Sequence, residues 1–191
     1  AGHDVGFAIG AHVPALGTNA KAGSDPIMIV EADESDGAFL VYEPTISVIT
    51  NVDPDHLDHW GSSAAYQNAF ADFALKAKQM AVVCADDAGV QGLTNKLNTV
   101  RTAGLSESAD VRAINIQTLG AQTICDVVVD GEVRGALQLN VPGNHYLVDA
   151  LVAIATALEL GADFAAVANG LSAYTGAARR MQFVGERRGV R

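Results

Sequence analysis

The residues best equipped for chemistry stand in two short runs. "IMIVEADESDGAF" leads four apolar residues straight into Glu31, Asp33, Glu34 and Asp36. "TISVITNVDPDHLDHWG" follows a β-branched run with Asn51, Asp53, Asp55 and His56. A carboxylate and an imidazole from adjacent strand ends make a workable pair of divalent-metal ligands, such as Glu31 and His56. The bland alternative is a solvated turn, since Asp, Asn and Pro are good turn formers. On spacing alone both readings stay open.

Those residues need strands to place them. "PIMIV" (26–30) and "TISVIT" (45–50) read as strands buried on both faces, "MAVVC" (80–84) as a third and "VRAINI" (111–116) as a fourth. About a dozen residues join the first two, near the minimum for a parallel crossover, so Glu31 and the His56 loop are expected on one sheet edge. Residues 5–26, rich in Gly, Ala and Pro, read as mostly loop.

Helical spacing of Ala65, Tyr66, Ala69, Phe70, Phe73 and Ala77 predicts a helix capped by Ser62 or Ser63. A smaller helix is expected in 86–97. Asp130-Gly131 between two extended runs predicts a hairpin, because that pair tolerates the positive φ of a type I′ turn. After "PGNH", Leu147, Leu151, Ile154 and Leu158 mark one helix face, ended by Gly161, and a last helix covers 163–172. The whole reads as an α/β fold, a mostly parallel sheet flanked by helices with a small antiparallel unit attached.

Composition narrows the partners. The chain has 191 residues, 22 acidic against 12 basic, and a formal net charge of -10. No basic stripe offsets that charge, which argues against nucleic acid or an anionic membrane. A phosphate ester would need a metal ion to bridge it to these carboxylates. No apolar run approaches the ~20 residues of a membrane span, and no signal peptide is visible. Cys84 and Cys125 sit in apolar runs and read as reduced core residues of a cytoplasmic protein. The chain opens on "AGHDVG" without Met and closes on "VGERRGVR", which reads as an excised part of a larger protein.

Taken in order, "VEADESDGAFL", "VITNVDPDHLDHWGS", "PGNH" opening a helix and "GAARRMQFVGE" resemble the Mur ligases. The likeness runs through 1–191 as a partial central domain, with the fold of a P-loop NTPase. Within the family it points to the members that add L-alanine. The murein-peptide recycling members are the alternative, and they carry a tyrosine where Ser35 stands.

The resemblance implies ATP-dependent amide-bond synthesis between UDP-N-acetylmuramate and L-alanine through an acyl phosphate, with Mg²⁺. It makes Glu31 a ligand of one magnesium and His56 a residue serving a second near the substrate carboxylate. It puts Arg180 on the ATP phosphates, where a guanidinium binds bidentately. It puts His145, Tyr146 and Asp149 at the adenine, and Asn19, Asn51 and Ser35 on the muramate side.

Lys21, Lys76, Lys78 and Lys96 are the chain's only lysines, and none sits in a GxxxxGK frame. The family's P-loop, UDP-binding domain and amino-acid-binding domain are therefore expected outside this stretch. By itself the chain reads as a non-catalytic α/β domain.

Overall fold

The computed structural model describes residues 3–178, 185, 187 and 188. The chain forms two compact units, one holding Ala32–Ser172, the other the described residues through Glu31 with those from Ala173 on.

The smaller unit answers the Gly- and Ala-rich segment read as mostly loop. It contains β1 (Gly6–Val13), β2 (Thr18–Lys21) and β3 (Met28–Val30), in the order β2-β1-β3. β1 and β2 form an antiparallel hairpin, and β3 lies parallel to β1. Alternation failed to announce these strands because small residues leave no apolar period; the backbone ladder makes them. Asp4 braces the unit. Its carboxylate accepts from the Lys21 ammonium, and from the Ser24 backbone N–H at 3.2 Å and hydroxyl at 3.1 Å. The Lys21 hydrogen bond first, then those from Ser24, hold the Asp4 carboxyl below its ordinary range.

The expectation of a strand at 26–30 buried on both faces is corrected. Met28, Ile29 and Val30 are 57%, 50% and 41% exposed. β3 is three residues long, and no helix among this unit's described residues covers it.

The larger unit follows the sequence closely, except that the 45–50 and 111–116 runs are not covered on both faces throughout: Val48 and Ile116 are both exposed. Its sheet has six strands: β4 (Ile46–Ile49), β5 (Met80–Cys84), β6 (Val100–Gly104), β7 (Val111–Leu119), β8 (Gln122–Val129) and β9 (Glu132–Leu139). They lie in that order; β4 to β7 are parallel, while β7, β8 and β9 run antiparallel. The expected antiparallel unit is thus an extension of the main sheet. Asp130 and Gly131 take φ of 54° and 83° at the β8–β9 turn, as a type I′ hairpin requires. β6, "VRTAG", is too mixed to have shown itself as an apolar run.

Helices α1 (Leu57–Trp60), α2 (Ser63–Leu75), α3 (Ala88–Thr94), α4 (Asn144–Glu159) and α5 (Phe164–Ser172) complete the unit. The Ser62 hydroxyl accepts the Ala65 N–H and caps α2, and Asp87 caps α3 in the same way. Tyr66, Ala69 and Phe73 of α2 join Val90 and Leu93 of α3 over Ala81 and Val83. Val82, on the opposite face of β5, is fully buried, and α4 packs on β5, β6 and β7 through Leu147, Leu151 and Ile154. Cys84 and Cys125 are buried and unpaired, and burial pushes the Cys125 thiol up to about 11.

Candidate functional site

The adjacency expected between the Glu31 and His56 strands does not hold in the sheet order. β3 pairs with β1 in the three-stranded sheet, and β4 pairs with β5 in the other. The two residues belong to different units.

Glu31 leaves β3 by donating its backbone N–H to Ala8 O at 2.9 Å. Its exposed carboxylate turns back over β1 and accepts the Gly10 N–H at 2.6 Å. A Cβ on Gly10 would stand 3.2 Å from Glu31 Oε1, so the residue facing this carboxylate is kept small. A surface carboxylate anchored by one backbone donor is a hard oxygen ligand with its place already set. That suits Mg²⁺, which takes one or two carboxylates and fills the rest of its octahedron with water and phosphate oxygens. Among the described residues no cluster of three His, Cys, Asp or Glu side chains could hold a metal by itself.

The remaining acidic residues of the run shape a turn. Asp33 Oδ1 accepts the Ser35 N–H at 2.9 Å, and Asp36 Oδ1 the Ala38 N–H at 2.9 Å. The Ser35 side chain first, and its backbone N–H second, hold the Asp33 carboxyl below its ordinary range; His56 adds a smaller pull. Glu34 offers its carbonyl to Trp60 Nε1–H at 3.1 Å. The turn delivers Phe39, 2% exposed, into an aromatic cluster with Trp60, Phe70 and Phe73 at centroid distances of 6.2, 5.1 and 5.2 Å. The solvated-turn reading therefore fits Asp33 and Asp36, and Ser35 is part of that turn.

His56 sits on the loop after β4. Its φ is 51°, a left-handed value uncommon outside glycine, and its carbonyl accepts the His59 and Trp60 N–H groups that start α1. The ring is 42% exposed, with Nε2 3.8 Å from Asp55 Oδ2. It is open to a metal or a phosphate, and a single imidazole among oxygen ligands is tolerable for Mg²⁺. Asn51, exposed at the start of the loop, donates from Nδ2 to Thr50 Oγ1 at 3.3 Å.

At the start of α4, Gly143 takes φ 108° and supplies no side-chain cap. The His145 ring folds back over it; a Cβ there would meet His145 Cε1 at 2.6 Å. His145 and Tyr146 have ring centroids 4.5 Å apart. Asp149, one turn on from His145, reaches the surface, yet its carboxyl is crowded by protein; that desolvation raises its pKa, and His145 draws it part of the way back. The three residues expected at the adenine thus share one helix start. Asn19, expected in a loop, is an exposed residue of β2. Arg180 lies outside the described residues.

Sequence reading passed over Asp86 and Asp87, whose carboxylates accept backbone N–H groups from the loops after β6 and β4. The signal was an Asp pair directly between an apolar strand and a helix start.

Residues 12–157 match the model of the Mur ligase middle domain. UDP-N-acetylmuramate–L-alanine ligases of Paenarthrobacter aurescens and Renibacterium salmoninarum are 46% and 44% identical to the chain over its full length. The chain spans 42% of the length of each of these relatives. Among solved structures, the UDP-N-acetylmuramate-alanine ligase MurC of Thermotoga maritima superposes with a TM-score of 0.83 at 26% identity, over 97% of this chain and 42% of that one. The UDP-N-acetylmuramate:L-alanyl-gamma-D-glutamyl-meso-diaminopimelate ligase of Neisseria meningitides gives 0.80 at 24% identity, over 92% of this chain and 59% of that one; at that identity the likeness speaks for the fold alone.

Proposed function

The chain belongs to the Mur ligase family, and from that premise we propose that it is the central, ATP-handling part of a ligase that joins L-alanine to UDP-N-acetylmuramate in peptidoglycan precursor synthesis. The observation that carries this reading is the full-length likeness to relatives named for that reaction. Such a ligase phosphorylates the muramate carboxylate with ATP; the alanine amine then attacks the acyl phosphate and expels phosphate. Mg²⁺, when bound, neutralises the triphosphate and holds donor and acceptor in line.

The chain's own residues take the following parts. Glu31, oriented by the Gly10 N–H, would hold one magnesium. His56 would serve a second on the muramate side together with Asn51, and Ser35 shapes the turn that Asp33 begins; Asn19, in its own unit, is read as a muramate contact. His145, Tyr146 and Asp149 receive the adenine at the start of α4; an ionised Asp149 can accept from the exocyclic amine but cannot donate to a ring nitrogen. Arg180 takes the ATP phosphates. An ATP-consuming reaction of this kind belongs to the cytoplasm, and no helix among the described residues is long and apolar enough to cross a membrane.

The second reading is the recycling ligase of the same family, and Ser35 favours the first. Phosphate release by the longer protein that contains this chain separates them. Release is expected only with ATP, UDP-N-acetylmuramate and L-alanine together; activity with a tripeptide and none with alanine would overturn the assignment. In that assay Glu31→Ala and His56→Ala should each lower turnover by about 10²-fold or more, the scale of losing a preorganised electrostatic group. The 191-residue chain alone, having no GxxxxGK sequence, should make no amide.

A further inference from the structure

β5 lies between β4 and β6, and the two aspartates that follow it reach in opposite directions. Asp86 accepts the Leu105 and Ser106 N–H groups, at 2.5 and 2.9 Å, from the loop after β6. Asp87 Oδ1 accepts the Val90 N–H at 2.8 Å as the cap of α3, and the same oxygen accepts the Val52 N–H at 3.0 Å from the loop after β4. Glycine marks both seams. A Cβ on Gly89 would stand 2.0 Å from Val52 O, and one on Gly104 2.5 Å from Asp86 Oδ2. Side chains bigger than hydrogen would prise the strand-end loops apart. Val52 is 3% exposed and four residues before His56.

We propose that Asp87 is a positioning residue for the His56 loop: one carboxylate oxygen, shared between the first turn of α3 and the Val52 N–H, sets where Asn51 and His56 stand at the strand ends. The functional weight of this rests on the magnesium-side reading of His56, but the positioning is testable without it. Asp87 needs an acceptor oxygen at that point and not a charge, because both bonds fall on one atom and no cation faces it in either bond. Asparagine offers a carbonyl oxygen in the same place; alanine offers nothing.

Amide exchange and ¹H–¹⁵N spectra of the 191-residue chain and its variants test this. In Asp87→Ala the Val52 amide should exchange about tenfold faster or more, and the resonances from Val52 to His56 should move while Val82 and Val83 of β5 keep their protection. Asp87→Asn should restore both. Unmoved Val52 and His56 signals in Asp87→Ala, or an Asp87→Asn as disruptive as the alanine, would overturn the proposal. Should Asp87→Ala cost the β5 protection, Gly89→Ala replaces it and is expected to move the same resonances; unmoved ones overturn the proposal equally. In the longer ligase, Asp87→Ala should lower kcat about tenfold with the KM for ATP within about twofold. The two failures separate: normal turnover in His56→Ala removes the magnesium reading, and an unmoved Val52 amide removes this one.

Discussion

In the unit spanning Ala32–Ser172, Leu147, Leu151 and Ile154 of α4 are wholly buried and Val82 and Val83 of β5 equally so. In the unit that holds Glu31, β3 leaves all three of its residues well exposed. There, order comes from the β1–β2 ladder and from Asp4, which draws Lys21 and Ser24 onto one carboxylate. The two residues read as magnesium ligands inherit this difference. The Glu31 carboxylate is held by a bond from the Gly10 backbone N–H. His56 ends a loop gripped from the side by Asp87 and followed by a helix whose Trp60 packs on Phe39. A polar side chain on a strand end can therefore be placed in two ways, by the strand's own ladder or by neighbouring loops.

The largest effect that would test this contrast is a cavity. Leu151→Ala should destabilise the larger unit by about 2–5 kcal/mol, since a fully buried leucine loses its transfer free energy and leaves space behind. Met28→Ala on β3, with the side chain 57% exposed, should change stability by less than about 0.5 kcal/mol. Urea unfolding followed by amide signals from each unit reads both. Equal losses would erase the distinction between a unit filled by side chains and one held by backbone and a carboxylate.

The smaller unit has its own breaking point, and it is backbone crowding. A Cβ on Gly23 would lie 2.2 Å from Asp4 O and 2.3 Å from Gly6 N, both main-chain atoms that cannot swing away. Gly23→Ala should therefore cost the smaller unit about 1–3 kcal/mol, the scale of overpacking. Loss of amide protection in β1 and β2, with β5 unchanged, is the expected pattern. Protection retained in β1 would mean that the segment re-forms around the methyl group, and that its ladder is less constrained than the contacts indicate.

Legibility followed the same division. "MAVVC" was readable because five apolar residues in a row have few uses outside a covered strand, and β5 spans those five. Asp130-Gly131 was readable because few pairs tolerate two positive φ values in succession. "GFAIGAHV" was not, since alanine and glycine carry little preference between strand and loop, and the pairing of β1 depends on partners distant in sequence. Glu31 and His56 were picked out by residue type at strand ends, yet their supposed neighbourhood came from assuming a single sheet. Asp87 was missed for a related reason. Its position as a cap is local and visible, whereas its bond to Val52 spans 35 residues and depends on β4 and β5 being neighbours.

The smallest effect concerns the helix start in the larger unit. Crowding by protein raises the Asp149 pKa above its ordinary 3.8, with His145 opposing. A carboxyl whose folded pKa is raised binds its proton more tightly in the folded state. Stability is thus full below the unfolded pKa and declines as pH climbs from near 3.8 through the raised folded value; at neutral pH the ionised group is a net cost. Asp149→Asn removes that titration. It should leave acid stability unchanged and raise stability at pH 7 by less than about 1 kcal/mol, because the side chain still reaches solvent. Asp4 runs the other way: its carboxyl is depressed by Lys21 and Ser24, so its contribution is present above the unfolded pKa and fades as pH falls through the lower folded one. Urea midpoints at pH 3, 5 and 7, about two units apart so as to straddle the ordinary carboxylate range, check both signs. A gain at pH 7 in Asp149→Asn that persists undiminished at pH 3 would locate the effect in packing instead of ionisation. The start of α4 would then tolerate a charged Asp149 at no cost, and crowding of its carboxyl by protein would carry no penalty at neutral pH.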